Sequence, residues 1–211
     1  MISEKYKCIH VHIPKCAGTA ITAALFGANR HKHMRAVQYK NLLQDDYESY
    51  YSFAFVRNPY DRMVSFYEML KRNFPNGNCI QHKKMLTKCV KLFGDNTFES
   101  FVKFVAWCNE DPDAHVRPFG IESIHELSPQ TKWVCNSDGE LLVNNIYKYE
   151  CIQKSYSELC DKLECPERKN KLRRKNGSPN RGFYPKYYNN DTLAVFEDLF
   201  SSDLELFGYH F

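Results

Sequence analysis

The chain has 211 residues, 43% of them hydrophobic and 15% aromatic, so a folded globular protein with one substantial core is expected. Its formal net charge of +4 is too small to argue for nucleic acid by itself. No apolar run approaches the roughly 20 residues that cross a bilayer, and the polar start Met1–Lys7 is followed by no signal-peptide core.

Taken in chain order, Cys8–Ile13 is a short β-rich run that ends at Pro14. Thr19–Phe26 reads as a helix with an apolar stripe of Ala20, Ile21, Ala24 and Leu25, stopped by Gly27. Residues 28–38 are polar and histidine-rich, a loop. A short helix is expected within 40–51, then a buried strand over Ser52–Val56. Asn58 is a good N-cap, Pro59 suits the first helical position, and Asp61 suits the positive end of the helix dipole. Met63, Phe66, Tyr67 and Leu70 form the buried stripe of that helix, which breaks at residues 75–78.

A further helix over 97–108 is capped at Asn96 or Thr97 and carries Phe98, Phe101, Val102 and Val105 at helical spacing. The span 109–130 looks irregular. Residues 131–135 and 140–149 flank Asn136-Ser137-Asp138-Gly139, the pattern of a hairpin. Helices are expected over 153–163 and 191–206. Strands alternating with helices in the first half favour an α/β fold with a parallel sheet, in one domain over 1–211. No internal repeat or linker interrupts it.

The nine cysteines are scattered, with no CxxC and no zinc spacing. An odd count cannot pair fully, and reduced thiols in a cytoplasmic protein are the simpler reading. From Arg168 to Lys186 there are eight Lys/Arg and no Asp/Glu. That run could be a solvated loop, a nucleic-acid patch or the wall of a site for an anionic ligand.

Two segments carry the chemistry. In His12-Ile13-Pro14-Lys15-Cys16-Ala17-Gly18-Thr19-Ala20 a strand runs through a turn into a helix, whose free N–H groups and dipole favour a phosphate or sulfate. Gly18 permits close backbone approach, Thr19 adds a hydroxyl and Lys15 a point charge. The order is not that of a Walker A loop, in which lysine follows the glycine. In the second segment, Phe53–Ser65, Arg57 stands at the carboxyl end of a strand, suited to a phosphate, with Ser65 in the helix that follows. The alternative there is an ion pair of Arg57 with Asp61 and an ordinary helical serine.

Strand-Pro-Lys-x-x-Gly-Thr followed by strand-Arg-Asn-Pro-x-x-Arg-x-x-Ser-x-Tyr resembles the sulfotransferases, closest to the Golgi carbohydrate sulfotransferases and their shorter bacterial relatives. His125-Glu126-Leu127-Ser128-Pro129-Gln130, Asn176-Gly177-Ser178-Pro179-Asn180-Arg181, Tyr184-Pro185-Lys186-Tyr187-Tyr188 and the stretch Asp203–Phe211 extend the similarity over most of the chain, in order. The resemblance implies an α/β domain around a parallel sheet flanked by helices, related to nucleotide kinases. It implies 3′-phosphoadenosine-5′-phosphosulfate (PAPS) as donor and adenosine 3′,5′-bisphosphate (PAP) as product. The 5′-phosphosulfate end falls on Lys15, Ala17, Gly18, Thr19 and Ala20, with Cys16 in the loop. The 3′-phosphate falls on Arg57 and Ser65, and the basic C-terminal loop adds Arg181, Ser178 and Lys175. Ala20 departs from the serine that many relatives carry after the threonine, which removes one hydroxyl from the loop.

Transfer would rest on Lys15 neutralising the leaving oxygen and on a general base for the acceptor hydroxyl. His33, in the polar loop before the second strand, is the first choice. His125 is the reserve; His10 and His12, on the first strand, are the other candidates, and His12, next to the loop, is read as structural. No metal is required. The acceptor is expected to be a glycan hydroxyl, with no nucleic-acid partner and no membrane segment; the oligomeric state is not readable. The expected location is the cytoplasm, or the Golgi lumen if an N-terminal anchor had been removed. Two other classes compete: a P-loop-type nucleotide phosphotransferase, and a non-catalytic anion- or nucleic-acid-binding module using the basic run.

Overall fold

The computed structural model of the protein describes residues 1–27, 33–74, 80–110, 125–173 and 182–211. It is an α/β fold around a four-stranded, mostly parallel sheet. The strands are β1 (Ile2–Ser3), β2 (Cys8–Val11), β3 (Tyr51–Val56) and β4 (Asn145–Lys148), in that spatial order. The last three run parallel, and β1 pairs antiparallel with β2.

Two compact units divide the described chain. The first comprises residues 1–58 and 129–177 and contains the whole sheet. Its helices are α1 (Gly18–Phe26), α2 (Ala36–Leu43), α6 (Thr131–Val134) and α7 (Ile152–Lys162). The second comprises residues 59–128 and 178–211. It contains α3 (Pro59–Asn73), α4 (Ile80–Phe93), α5 (Phe98–Glu110), α8 (Asn190–Leu199) and α9 (Ser201–Phe207).

In the first unit β2 is buried along its whole length and β3 over all but its first residue, so both read as near-continuous apolar runs, as parallel strands covered on both faces do. Register aligns His10 with Phe53 and Phe55 with Tyr147. The rings stack accordingly, His10 on Phe53 at 5.0 Å and Phe55 on Tyr147 at 5.2 Å between centroids. These cross-strand pairs fix the sheet's register through side-chain packing. Helix α1 ends at Gly27, whose φ of 68° is the left-handed geometry expected of a helix stop.

The second unit packs helices around an aromatic-rich core that includes Tyr60, Phe66, Tyr67, Leu70, Phe101, Phe196 and Phe200. The predicted stripe Met63, Phe66, Tyr67 and Leu70 is buried on α3. At the start of α5 the Thr97 hydroxyl accepts the Ser100 N–H at 3.2 Å, so Thr97 is the cap.

Several expectations need correction. The hairpin over 131–149 does not form. Its turn is real, with Gly139 at φ 83° and the Asn136 side chain accepting the N–H groups of Asp138 and Glu140. The arm before it is instead the helical turn α6, and only an isolated Cys135–Leu141 bridge remains between the arms. The arm after it is captured by β3. The Asn144 carboxamide oxygen accepts the Ser52 N–H at 2.7 Å and hydroxyl at 2.8 Å, while the Asn144 N–H donates to the Ser52 carbonyl at 2.9 Å.

The helix expected over 191–206 is two helices. Phe200 leaves helical geometry with ψ 18° and packs buried against Phe196, ring centroids 4.6 Å apart. Helix α2 begins at Ala36, earlier than the sequence suggested, and a 3-10 stretch from Gln44 to Ser49 follows it. Helix α4 and strand β1 were not foreseen. The break at 75–78 lies outside the described residues, as do residues 111–124 of the span expected to be irregular.

Candidate functional site

The carboxyl ends of adjacent parallel strands lie on one edge of a sheet, and β2 and β3 there deliver the two segments singled out in the sequence. After β2 the chain passes through Ile13 and Pro14 into a loop in which Lys15 (φ 68°) and Ala17 (φ 60°) are both left-handed. Non-glycine residues hold that conformation at a cost of about 1 kcal/mol or more each, so the surrounding structure must enforce it. Left-handed residues interleaved in a loop turn N–H groups toward one side, a concavity suited to an anion.

Helix α1 begins at Gly18, one residue earlier than predicted. The N–H groups of Gly18 and Thr19 therefore lie in the first turn, where no preceding helical carbonyl can accept them. The Ala20 N–H is already used, donating to the Ala17 carbonyl at 2.9 Å, and its methyl is buried. Lys15 and Thr19 are half-buried at the loop's surface.

Two neighbours hold the loop. The His12 imidazole lies against Gly18 so closely that a Cβ there would fall 1.8 Å from His12 Cδ2. The Cys16 thiol is buried and donates to the Gln130 carboxamide oxygen at 3.2 Å. Gln130 also serves the second segment: its oxygen accepts the Arg57 N–H at 2.9 Å and its Nε2 donates to the Arg57 carbonyl at 2.8 Å.

Arg57 is buried, 6% exposed. Its guanidinium lies over the Tyr149 ring, 4.3 Å from the centroid, and Nη1 donates to the Lys15 carbonyl at 3.0 Å. A guanidinium stacked on an aromatic face keeps its planar edge in a fixed direction. Arg57 is thus tied directly to the loop that carries Lys15.

His33 stands beside this assembly. Its ring centroid is 4.5 Å from that of His12, and its Nδ1 lies 3.3 Å from the His12 carbonyl oxygen. When Nδ1 carries the proton it donates to that carbonyl, and the basic lone pair is then on Nε2. His10, on the same strand face as His12, pairs its Nδ1 with the Thr22 hydroxyl at 3.2 Å.

The first unit therefore brings together Lys15, Cys16, Ala17, Gly18, Thr19, Ala20, Arg57 and His33. Ser65 belongs to the second unit, half-buried on α3. On the same helix Arg62 is buried and donates to the Ser128 carbonyl at 3.0 Å. The Tyr184–Tyr188 motif docks there too: Tyr187 donates to Glu68 at 3.1 Å and Tyr188 to the Tyr60 carbonyl at 3.1 Å. Lys175, Ser178 and Arg181, together with the His125 side chain, lie outside the described residues.

A model of the sulfotransferase family matches residues 1–210. The chain belongs to the sulfotransferase family. No curated protein and no solved structure matches it. Membership makes this sulfotransferase a transferase that works between a small-molecule donor and an acceptor. Among its described residues no group of three or more His, Cys, Asp and Glu could hold a metal ion, and no helix is long and apolar enough to cross a membrane.

The sequence reading missed two residues of the site. Tyr149 carries no motif signal, since an aromatic at a strand end reads as core. Gln130 stood in a quoted motif without a role, because a buried carboxamide is recognised only by the groups it bonds.

Proposed function

We propose that this sulfotransferase moves the sulfuryl group of PAPS to a hydroxyl of a carbohydrate acceptor by in-line transfer. The observation that carries the reading is the direct tie between its two anion-binding segments, Arg57 Nη1 to the Lys15 carbonyl at 3.0 Å. A donor with anionic groups at both ends calls for two cationic segments held at a fixed separation. The left-handed loop, the α1 N-terminus and Lys15 suit the 5′-phosphosulfate, and the stacked Arg57 suits the 3′-phosphate.

Ser65, Ser178 and Arg181 are assigned to the donor by the family resemblance alone, as is the carbohydrate nature of the acceptor. Sulfuryl transfer makes the demands of phosphoryl transfer: positioning, and stabilisation of charge on the leaving oxygen. Lys15 supplies that charge. His33 Nε2, its tautomer set by the His12 carbonyl, takes the acceptor proton.

Thermal unfolding with added nucleotide tests the donor. A ligand that binds only the native state at 100 times its Kd adds about 2.7 kcal/mol of stability. PAP is expected to raise the Tm more than ATP with Mg²⁺ or adenosine 5′-monophosphate. Stabilisation by ATP–Mg²⁺ with indifference to the 3′-phosphate would overturn this reading in favour of a phosphotransferase.

A further inference from the structure

We propose that Gln130 is a positioning residue for sulfuryl transfer, a single carboxamide that sets the first loop against Arg57. The proposal rests on the donor reading above and adds to it what holds the two ends of the nucleotide site at their separation.

Gln130 is fully buried, at 0% exposure. A buried amide is costly unless its hydrogen-bonding capacity is met, so its partners define its role. Oxygen Oε1 accepts both the Cys16 thiol, at 3.2 Å, and the Arg57 N–H, at 2.9 Å. Nε2 donates to the Arg57 carbonyl at 2.8 Å. The side chain thus pairs with both backbone groups of Arg57 as a neighbouring strand would, one residue beyond Val56, where pairing of β3 with β4 ends.

A carboxamide can do this where a strand cannot because it also reaches sideways to Cys16. Its own backbone is anchored, the Gln130 carbonyl accepting the N–H of the buried Trp133 at the start of α6. Arg57 and the phosphosulfate loop are then joined twice: through Gln130, and through Arg57 Nη1 on the Lys15 carbonyl. Loss of Gln130 removes the tie that fixes the Arg57 backbone, so the 3′-phosphate should be recognised less well than the rest of the nucleotide.

A glutamic acid tests the geometry without changing the shape. When protonated it accepts through its carbonyl oxygen and donates through its hydroxyl to the Arg57 carbonyl, reproducing the amide. When ionised it has no donor and sets a negative charge against that carbonyl. Function in Gln130→Glu should therefore return as pH falls.

The experiment measures, by calorimetry, affinities for PAP and for adenosine 5′-monophosphate. It compares the unaltered protein with Gln130→Met, Gln130→Glu and Cys16→Ala at pH 5.5 and 8.5. The ratio of the two affinities is normalised to the unaltered protein at the same pH, which removes titration of the nucleotide. Gln130→Met should lower the ratio by about tenfold or more, the size of effect expected when a hydrogen bond to a charged group is lost. Gln130→Glu should match it at pH 8.5 and approach the unaltered ratio at pH 5.5, and Cys16→Ala, which removes the thiol's bond and leaves both bonds to the Arg57 backbone, should shift it less.

An unchanged ratio in Gln130→Met overturns the proposal alone. If Gln130→Met fails to fold, an absence of pH rescue in Gln130→Glu overturns it. An unaltered protein that does not prefer the bisphosphate overturns the donor reading, and the proposal falls with it.

Discussion

The proposal of His33 as general base rests on one hydrogen bond. A histidine in a polar loop is unremarkable until its Nδ1 is found 3.3 Å from the His12 carbonyl, which fixes the tautomer with the lone pair on Nε2. His33→Ala should lower kcat by about 100-fold or more, the usual worth of general-base catalysis, while leaving PAP affinity within about twofold. Transfer that persists near the unaltered rate would place the base elsewhere. His10 and His12 have different surroundings: one pairs with Thr22 and the other packs on Gly18. Lys15, Gly18, Thr19 and Arg57 could be proposed from the sequence because their residue types suit an anion. Gln130 and Tyr149 were not, because their value lies in what they touch.

The His12 ring, one residue past strand β2, lies so close to the start of helix α1 that a Cβ at Gly18 would collide with it. Helix propensity alone favours alanine over glycine within a helix, so it gives no reason for Gly18→Ala to destabilise α1. The structure supplies one, because the new methyl would meet the His12 ring at 1.8 Å. Overpacking of this kind costs about 1–3 kcal/mol, so the urea midpoint should fall, and His12→Ala in the same chain should restore part of the loss. A Gly18→Ala protein as stable as the unaltered one would mean that the imidazole moves aside cheaply. The elements themselves were read well wherever periodicity or a cap spoke: β3, α1, α3, α5 and α7 lie close to their expected bounds. The hairpin failed for a tertiary reason. Its second arm has strand character and a sound turn before it, but Ser52 and Asn144 bond it to β3, a partner 92 positions away in the chain.

For the molecule as a whole, burial of thiols and a phenol sets a limit to stability on the alkaline side. The Cys8, Cys89 and Cys165 thiols are pushed up to about 12 from an ordinary 9.0, chiefly by burial, and the Tyr39 hydroxyl is pushed up to about 12 for the same reason. In the unfolded chain these thiols ionise near their ordinary value, so between about pH 9 and 12 the unfolded state binds fewer protons than the folded one. Stability from these groups is thus complete below pH 9 and is lost as pH rises toward 12. The urea midpoint should fall progressively above pH 9. A midpoint that holds to pH 11 would show that these thiols ionise as readily folded as unfolded.

Chain order, residue type and spacing were enough to expect an α/β fold and two strand–turn–helix units suited to anions, because helix stops, caps, glycines and cations act locally, and the order of the motifs carried the resemblance to the sulfotransferase family to which the chain belongs. How those turns are held was decided only on folding. Residues far apart in the chain, Lys15, Arg57, Gln130 and Tyr149, are joined only in the fold, by hydrogen bonds and ring contacts. No local pattern encodes such contacts, since a buried amide or an aromatic face is defined by its neighbours rather than by its place in the sequence.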